Sequence, residues 1–366
     1  MCLYPKLVKN RRYLPTKKNN YNPPACTDER KKFVPASCGI CKECREKKAK
    51  EWTIRCEWEL KTSEDKAYGV TLTFADEYLD GNEDADPNEF CQRAVRLFVK
   101  RWVKKHKKSI RYWLIPEIGQ ENTERVHMHG LAWTNEPPIE INNIWKYGNT
   151  EIKPATIDAI PYALKYFLKP DKKHKNFKGK IIASKGIGKK FIYSQDAKKV
   201  QNMEEGEYVK TRAGYKTAVP MYWRRKLYSE EALDEKWTKL LDKNVRYIQG
   251  EKIDVSTKEG EEEYYKTLEY YQKLNTELGF NKDPWDRETY KKSRKNIQKK
   301  KKFYDKKLAQ FRKSLQLCKD KTKEERDQME RAWRNRIRSV LCEQGTQEDT
   351  AIFGDNHDNC DNLLIN

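Results

Sequence analysis

The chain has 366 residues, a formal net charge of +21 and 36% charged residues. Nowhere does an apolar run reach the ~18–20 residues of a transmembrane helix, which excludes an integral membrane protein of the helical kind. The excess of Lys and Arg favours a polyanionic partner, with an acidic membrane surface as the competitor. Met1 to Lys6 lack the apolar core of a signal peptide, so a cytoplasmic setting is expected, and the ten cysteines would then be thiols or metal ligands rather than disulfides.

Residues 1 to about 36 are basic, Asn- and Pro-rich and poorly periodic, and read as an extended arm or as disorder. Cys38-x-x-Cys41-x-x-Cys44 follows, with Cys26 upstream. Thiolates at this spacing can hold a structural zinc ion if Cys26, or Cys56, supplies the fourth ligand. The competing reading is a turn with free thiols that caps the next helix. That helix is expected over Lys42 to Leu60, where Ala49, Trp52, Cys56 and Leu60 keep near-helical spacing. Tyr68 to Phe74 is β-branched and aromatic, as a central strand should be. An acidic loop, Asp76 to Asp86, leads to Asp86-Pro87-Asn88-Glu89, which has the chemistry of a helix start. The helix it opens carries Phe98 and Trp102 on its apolar side.

Tyr112 to Ile118 and Val126 to Trp133 are expected to form a hairpin across a polar, Gly-containing turn. His127 and His129 are two residues apart, so both point to one face of an extended strand. Two imidazoles on one face are half of a divalent-metal site. Glu117 on the first arm is the carboxylate candidate, in a register that sequence alone leaves open. Next comes a helix ending at Pro170. Its Tyr162, Lys165, Tyr166 and Lys169 share one face, while Ile160, Leu164, Phe167 and Leu168 take the other. Cations beside a tyrosine favour its phenolate and attract phosphate; the bland alternative is a solvated Tyr/Lys face.

Lys185-Gly186-Ile187-Gly188-Lys189 lacks the ending and spacing of a P-loop, leaving a DNA-tracking loop or a solvated one. Val219 to Lys226 mixes aromatics with cations, which suits base stacking and a docked helix start equally. From about Glu230 the composition turns helical and highly charged, and the last residues are acidic and Asn-rich.

His127-Met128-His129 with a downstream Tyr162-x-x-Lys165-Tyr166 resembles the HUH endonucleases. With the cysteine-rich entry, Thr71 to Phe74, Phe98 to Trp102 and Val219 to Trp223 in this order, the chain is similar to the rolling-circle replication initiators of microviruses, the gokushovirus group above all. The resemblance runs from about Val34 to about Glu230. It implies an antiparallel catalytic sheet and one divalent ion, Mg²⁺ or Mn²⁺, on His127, His129 and Glu117. It also implies nicking of a phage DNA origin by Tyr162 or Tyr166, with Lys165 assisting. The products would be a 5′-phosphotyrosine and a free 3′-OH for host polymerase, and the second tyrosine would serve strand transfer and ligation at termination. Single-stranded origin DNA and the host replication machinery, helicase and polymerase, would be the partners, in the cytoplasm of the bacterial host and without a membrane.

The expected fold is α+β, an antiparallel sheet with flanking helices and a helical C-terminal part. Residues 1–60 would be a basic arm, Cys-rich turn and helix, 61–228 the endonuclease domain, 229–342 a charged helical region and 343–366 an acidic frayed tail. A plasmid-type initiator or relaxase would share the motifs, although no Walker A motif of a fused helicase is present. A non-catalytic single-stranded DNA binding or packaging protein would need neither histidine.

Overall fold

The computed structural model describes residues 2–79, 86–119, 124–170, 173–174, 177–203, 206–280, 287–317 and 322–343. The acidic tail, most of the acidic loop after Leu79, and the turn between the hairpin arms lie outside the described residues. The chain separates into two compact units. One comprises Met1–Leu3 and Cys38–Asp283, the other Tyr4–Ser37 and Pro284–Asn366.

In the smaller unit, β1 (Lys6–Lys9) and β2 (Phe33–Ala36) pair antiparallel. The basic arm therefore has a ladder of its own, in the same unit as the last two helices. The larger unit continues with α1 (Lys42–Thr62), β3 (Ala67–Thr73), α2 (Asp76–Leu79), α3 (Pro87–His106), β4 (Arg111–Ile118) and β5 (Val126–Trp133). After these come α4 (Ile139–Trp145), β6 (Thr150–Pro154), α5 (Ala159–Leu168), β7 (Ile182–Ala183) and α6 (Gln195–Gln201). Then follow β8 (Tyr208–Lys210), β9 (Lys216–Ala218), α7 (Met221–Leu227), α8 (Glu230–Asp242), β10 (Val245–Ile248), β11 (Glu251–Asp254) and α9 (Lys258–Glu277). Helices α10 (Arg287–Leu317) and α11 (Lys323–Glu343) belong to the smaller unit, where the rings of Phe311 and Trp333 stack. The fold is α+β, with a helical C-terminal part, as the sequence leads one to expect. No helix among the described residues is long and apolar enough to cross a membrane.

The central sheet has the order β6-β3-β5-β4-β7, every neighbouring pair antiparallel. Because side chains alternate along a strand, its two faces carry different cores. Val70, Leu72, Leu114, Met128 and Ala132 pack under α3 and α4. Trp113, Ile115, Leu131 and Trp133 point the other way, under α1 and α5. These last four are essentially inaccessible. Slipping a strand by one residue would exchange the faces and expose such side chains, at roughly 1.5–3 kcal/mol each. Four of them would cost on the order of the whole stability of an ordinary domain, about 5–15 kcal/mol. The register is therefore fixed by the core.

Gly130 sits in mid-strand because β4 leaves no room for more. A Cβ there would run into the Trp113 carbonyl oxygen. Gly130→Ala is expected to lower stability by about 2–3 kcal/mol or more, since backbone rather than a side-chain tip must yield. A urea titration of the purified variant checks this; an unchanged midpoint would contradict it.

The Gly186 to Gly188 segment is neither a DNA-tracking loop nor a solvated one. Ile187 is fully buried. Gly188 N–H donates to Glu59 Oε2 at 2.7 Å, and Arg55 Nε donates to the Ile187 carbonyl at 3.2 Å. Buried Glu59 also accepts from Arg111 Nε at 2.6 Å, so its charge is compensated. The aromatic and cationic run after Val219 is a docked helix start. Trp223 is buried, stacks on Phe191 at 3.8 Å, and donates Nε1–H to the Gly188 carbonyl.

Candidate active site

The sheet face under α1 and α5 does not stay apolar to its end. Beyond Ile115 on β4 comes Glu117, and beyond Leu131 on β5 come His129 and His127. Glu117 pairs directly with His127 across the ladder, and Ile115 pairs with His129. Directly opposed residues in an antiparallel pair project to the same side. The carboxylate and both imidazoles therefore converge, and the register that sequence left open puts Glu117 among them.

Glu117 Oε2 lies 3.4 Å from His127 Nε2 and 3.4 Å from His129 Nε2. The remote nitrogens are already engaged. His127 Nδ1 donates to the Arg125 carbonyl at 3.2 Å, and His129 Nδ1 is 3.2 Å from the Thr71 hydroxyl on β3. Anchoring Nδ1 this way leaves Nε2 as the lone-pair nitrogen, the arrangement typical of metal-ligating histidines. One nitrogen from each histidine and one carboxylate oxygen lie within 4.8 Å of one another. Burial opposes charge on Glu117, but the hydrogen bonds and positive field of the two histidines outweigh it and hold the carboxyl at about 2. For His127, burial works against protonation, yet the Glu117 contact and the Arg125 carbonyl raise its pKa overall. Both effects describe a pre-formed anionic ligand facing two basic nitrogens.

Helix α5 lies over this end of the sheet. Ile160, Ala163, Leu164 and Phe167 bury its apolar side in the core below, which turns the tyrosines outward. The Tyr166 ring stacks on His129, centroids 4.1 Å apart and planes at 12°. One turn back, Tyr162 is 57% exposed, with its ring 6.2 Å from that of His129. The two hydroxyls are 2.8 Å apart, Tyr166 donating to Tyr162. Burial first, then the bond to Tyr162 and the nearby carboxylates of Glu117 and Glu151, push the Tyr166 phenol well above its usual range. An open cleft of about 760 Å³ has Glu117, His127, His129, Lys165, Tyr166 and Lys169 in its wall.

Every residue expected at the metal and tyrosine positions thus meets in one place. Sequence reasoning missed Glu151, which pairs with Thr71 and so comes up on the same face. It also missed Arg125, which contacts Asp76 Oδ2 at 2.6 Å at the mouth of the cleft. Thr71 and Glu151 sit in alternating strands, but nothing in a single sequence shows which strands neighbour each other.

The cysteines divide differently from expectation. Cys38, Cys41 and Cys44 come together, but Cys26 is not their fourth member. Its thiol donates to the Asp28 carbonyl at 3.2 Å, within the turn that opens at Asp28. Nor is Cys56, which is fully buried among Trp52, Trp113 and their neighbours. The fourth sulfur is that of Cys2.

Comparison with known proteins adds an independent line. Residues 67–171, which span the sheet and α5, match the family model of the replication-associated protein ORF2. The chain is similar to replication-associated protein VP4 of Bdellovibrio phage phiMH2K, 26% identical over 244 residues, 59% of this chain and 76% of that protein. It is similar to replication-associated protein ORF4 of Chlamydia phage 1, 23% identical over 54% of this chain and 55% of that protein. Replication-associated protein ORF2 of Spiroplasma virus 4 is 26% identical over 53% of this chain and 68% of its own length. No solved structure matches.

Proposed function

Taking the chain as a phage replication-associated protein of the microvirus type, we propose that it starts rolling-circle replication by nicking one strand of the phage origin. The observation that carries this reading is the convergence of Glu117, His127 and His129 beneath two exposed-side tyrosines of α5. Among the described residues this is where paired nitrogen and oxygen donors face a nucleophile.

The donor set fits a divalent ion. Two neutral imidazole nitrogens and one carboxylate suit Mn²⁺ better than Mg²⁺, although the abundance of Mg²⁺ offsets that preference. Bound there, the ion supplies positive charge to a scissile phosphate. The protein's own groups do the rest. Lys165 and Lys169 line the cleft and draw the sugar–phosphate backbone in. A tyrosine oxygen attacks phosphorus, a tyrosyl O–P bond forms, and the P–O3′ bond breaks. The phenolic proton leaves to solvent or to Lys165, and the departing 3′ oxygen is protonated. The DNA is left 5′-linked to the protein with a free 3′-OH that polymerase can extend.

The hydrogen bond from Tyr166 to Tyr162 supports Tyr162 as the first nucleophile. It places an acceptor lone pair and the greater exposure on Tyr162, and it would stabilise a phenolate there. Tyr166, stacked on His129, is then kept for the second cut at termination. The strand released in that cut attacks the first phosphotyrosine and closes a circle.

The test is a single-stranded oligonucleotide from the phage origin, labelled 5′ or 3′ of the expected nick, incubated with Mn²⁺ or with chelator. Only label lying 3′ of the cut should stay on the protein through denaturation, and only with metal. In a first-turnover assay Tyr162→Phe should slow this attachment at least ~10-fold more than Tyr166→Phe, a difference of about 1.4 kcal/mol in barrier. Equal rates for the two variants would remove the assigned order and leave the nicking reading standing. Folded protein that binds the origin tightly without ever becoming linked would end the nicking reading itself.

A further inference from the structure

Outside the cleft, the chain gathers four sulfurs. Cys2, Cys41 and Cys44 are buried and Cys38 is half-buried, and the four Sγ atoms lie within 4.8 Å of one another. Sequence spacing gives only three of them. The fourth arrives from 36 residues away and lies close enough for its Sγ to accept from the Cys38 N–H at 3.2 Å.

We propose that Cys2, Cys38, Cys41 and Cys44 hold one structural zinc ion that fixes the start of α1.

The dimensions agree with a single tetrahedral ion. With Zn–S bonds of about 2.3 Å, neighbouring sulfurs of a tetrahedron stand about 3.8 Å apart. Cys38 Sγ and Cys44 Sγ are 3.9 Å apart. An iron–sulfur cubane would place the four thiolates on four irons and spread them farther than this group allows. The surroundings suit thiolates rather than thiols. Backbone N–H groups of Cys38 and Cys41 donate to sulfur, the second at 3.4 Å to Cys38 Sγ. The Lys178 ammonium donates to the Gly39 carbonyl inside the loop and interacts electrostatically with Cys38, Cys41 and Cys44. Two opposite charges on the metal against four thiolates leave two negative charges, and Lys178 with buried Arg45 offsets them. Gly39, at φ 74°, makes the tight turn between the first two ligands.

The ion would act at a distance through α1. Cys44 is in the first turn of that helix, and Arg45 follows it. Arg45 Nη1 donates to the carbonyls of Phe167 and Lys169, both at 3.4 Å, where α5 ends. Farther along, Ala49 and Trp52 pack in the core shared with α5. A fixed start of α1 therefore helps to hold the tyrosine helix; this last consequence rests on the nicking reading, whereas the metal site does not.

The experiment uses the full chain with His127→Ala and His129→Ala, so that the imidazole pair cannot add to the count. Protein grown with added zinc and purified under reductant is analysed by elemental mass spectrometry. About one zinc per chain is expected, kept against brief EDTA dialysis and released by a mercurial thiol reagent. Cobalt reconstitution should give thiolate-to-metal charge-transfer absorption. Cys2→Ser should lose most of the zinc to a chelating dye, and Cys26→Ser should keep it. Zinc-free protein with reactive thiols at all four positions would overturn the proposal, as would iron with sulfide in place of zinc. Equal zinc loss from Cys26→Ser and Cys2→Ser would overturn the assignment of Cys2. Should Cys2→Ser fail to fold, the zinc count and cobalt spectrum of the parent protein decide. None of these readouts involves DNA cleavage.

Discussion

Tyr162→Phe together with Tyr166→Phe should abolish covalent attachment to origin DNA while leaving the fold and the binding of DNA intact. The hydroxyls form their hydrogen bond with each other, so removing both leaves no buried partner stranded. The rings keep their packing, including the Tyr166 stack on His129. No folding penalty above a few tenths of a kcal/mol is expected. The chemical penalty should be close to total, because a phenylalanine ring offers no oxygen to phosphorus. Gel-shift affinity for the origin should change less than ~3-fold, since phosphate contacts are spread over many cations. Covalent label above background in the double variant, on any residue, would show that the nucleophile has been misassigned.

The second large effect concerns the metal. His129→Ala should reduce Mn²⁺-dependent nicking by ~10³-fold or more, with thermal stability nearly unchanged. His129 is the ligand most enclosed of the three, and it links the carboxylate of Glu117 to the Thr71 hydroxyl. Its loss removes one nitrogen ligand and frees Glu117 from one of the contacts that keep it ionised. Charge stabilisation at a developing transition state commonly contributes several kcal/mol, and each 1.4 kcal/mol is a factor of ten in rate. Glu117→Gln is the companion variant. It preserves size and removes the charge, and raising Mn²⁺ should restore it partly while His129→Ala responds less. The check is initial nicking rate against metal concentration, with circular dichroism on the same samples. Nicking that survives in His129→Ala at wild-type rate would sink the triad.

Much of this site could be read from the chain alone because its parts obey short-range periodicities. Two histidines two apart share a strand face, and residues at spacings of three and four share a helix face. The aromatic and β-branched composition of β3 and β5 marked them as central strands. What could not be read was long-range. Glu117 was placed only when Trp113, Ile115, Leu131 and Trp133 fixed the hairpin register from the core side. Cys2 was missed because no local rule brings positions 2 and 38 together, whereas Cys26 was nearer in sequence and equally polar in its neighbours. Gly186 to Gly188 and the run after Val219 illustrate a different limit. Aromatics beside cations look the same whether they stack on bases or on each other, and only the burial of Ile187 and Trp223 decides. The N-terminal arm looked unstructured since its strands are four residues each and find their ladder with one another.

The cross-strand pairing of Glu117 with His127 has a practical consequence for anyone handling this protein. Strand alternation is binary, so a chain whose hairpin forms one residue out of step would direct all three ligands to the wrong side. There is no half-built version of the centre. The number of DNA adducts formed per chain in a single turnover therefore counts the correctly registered molecules in a preparation. Refolding yield, storage damage and the quality of a purified batch can all be scored by that titration, without a separate structural assay.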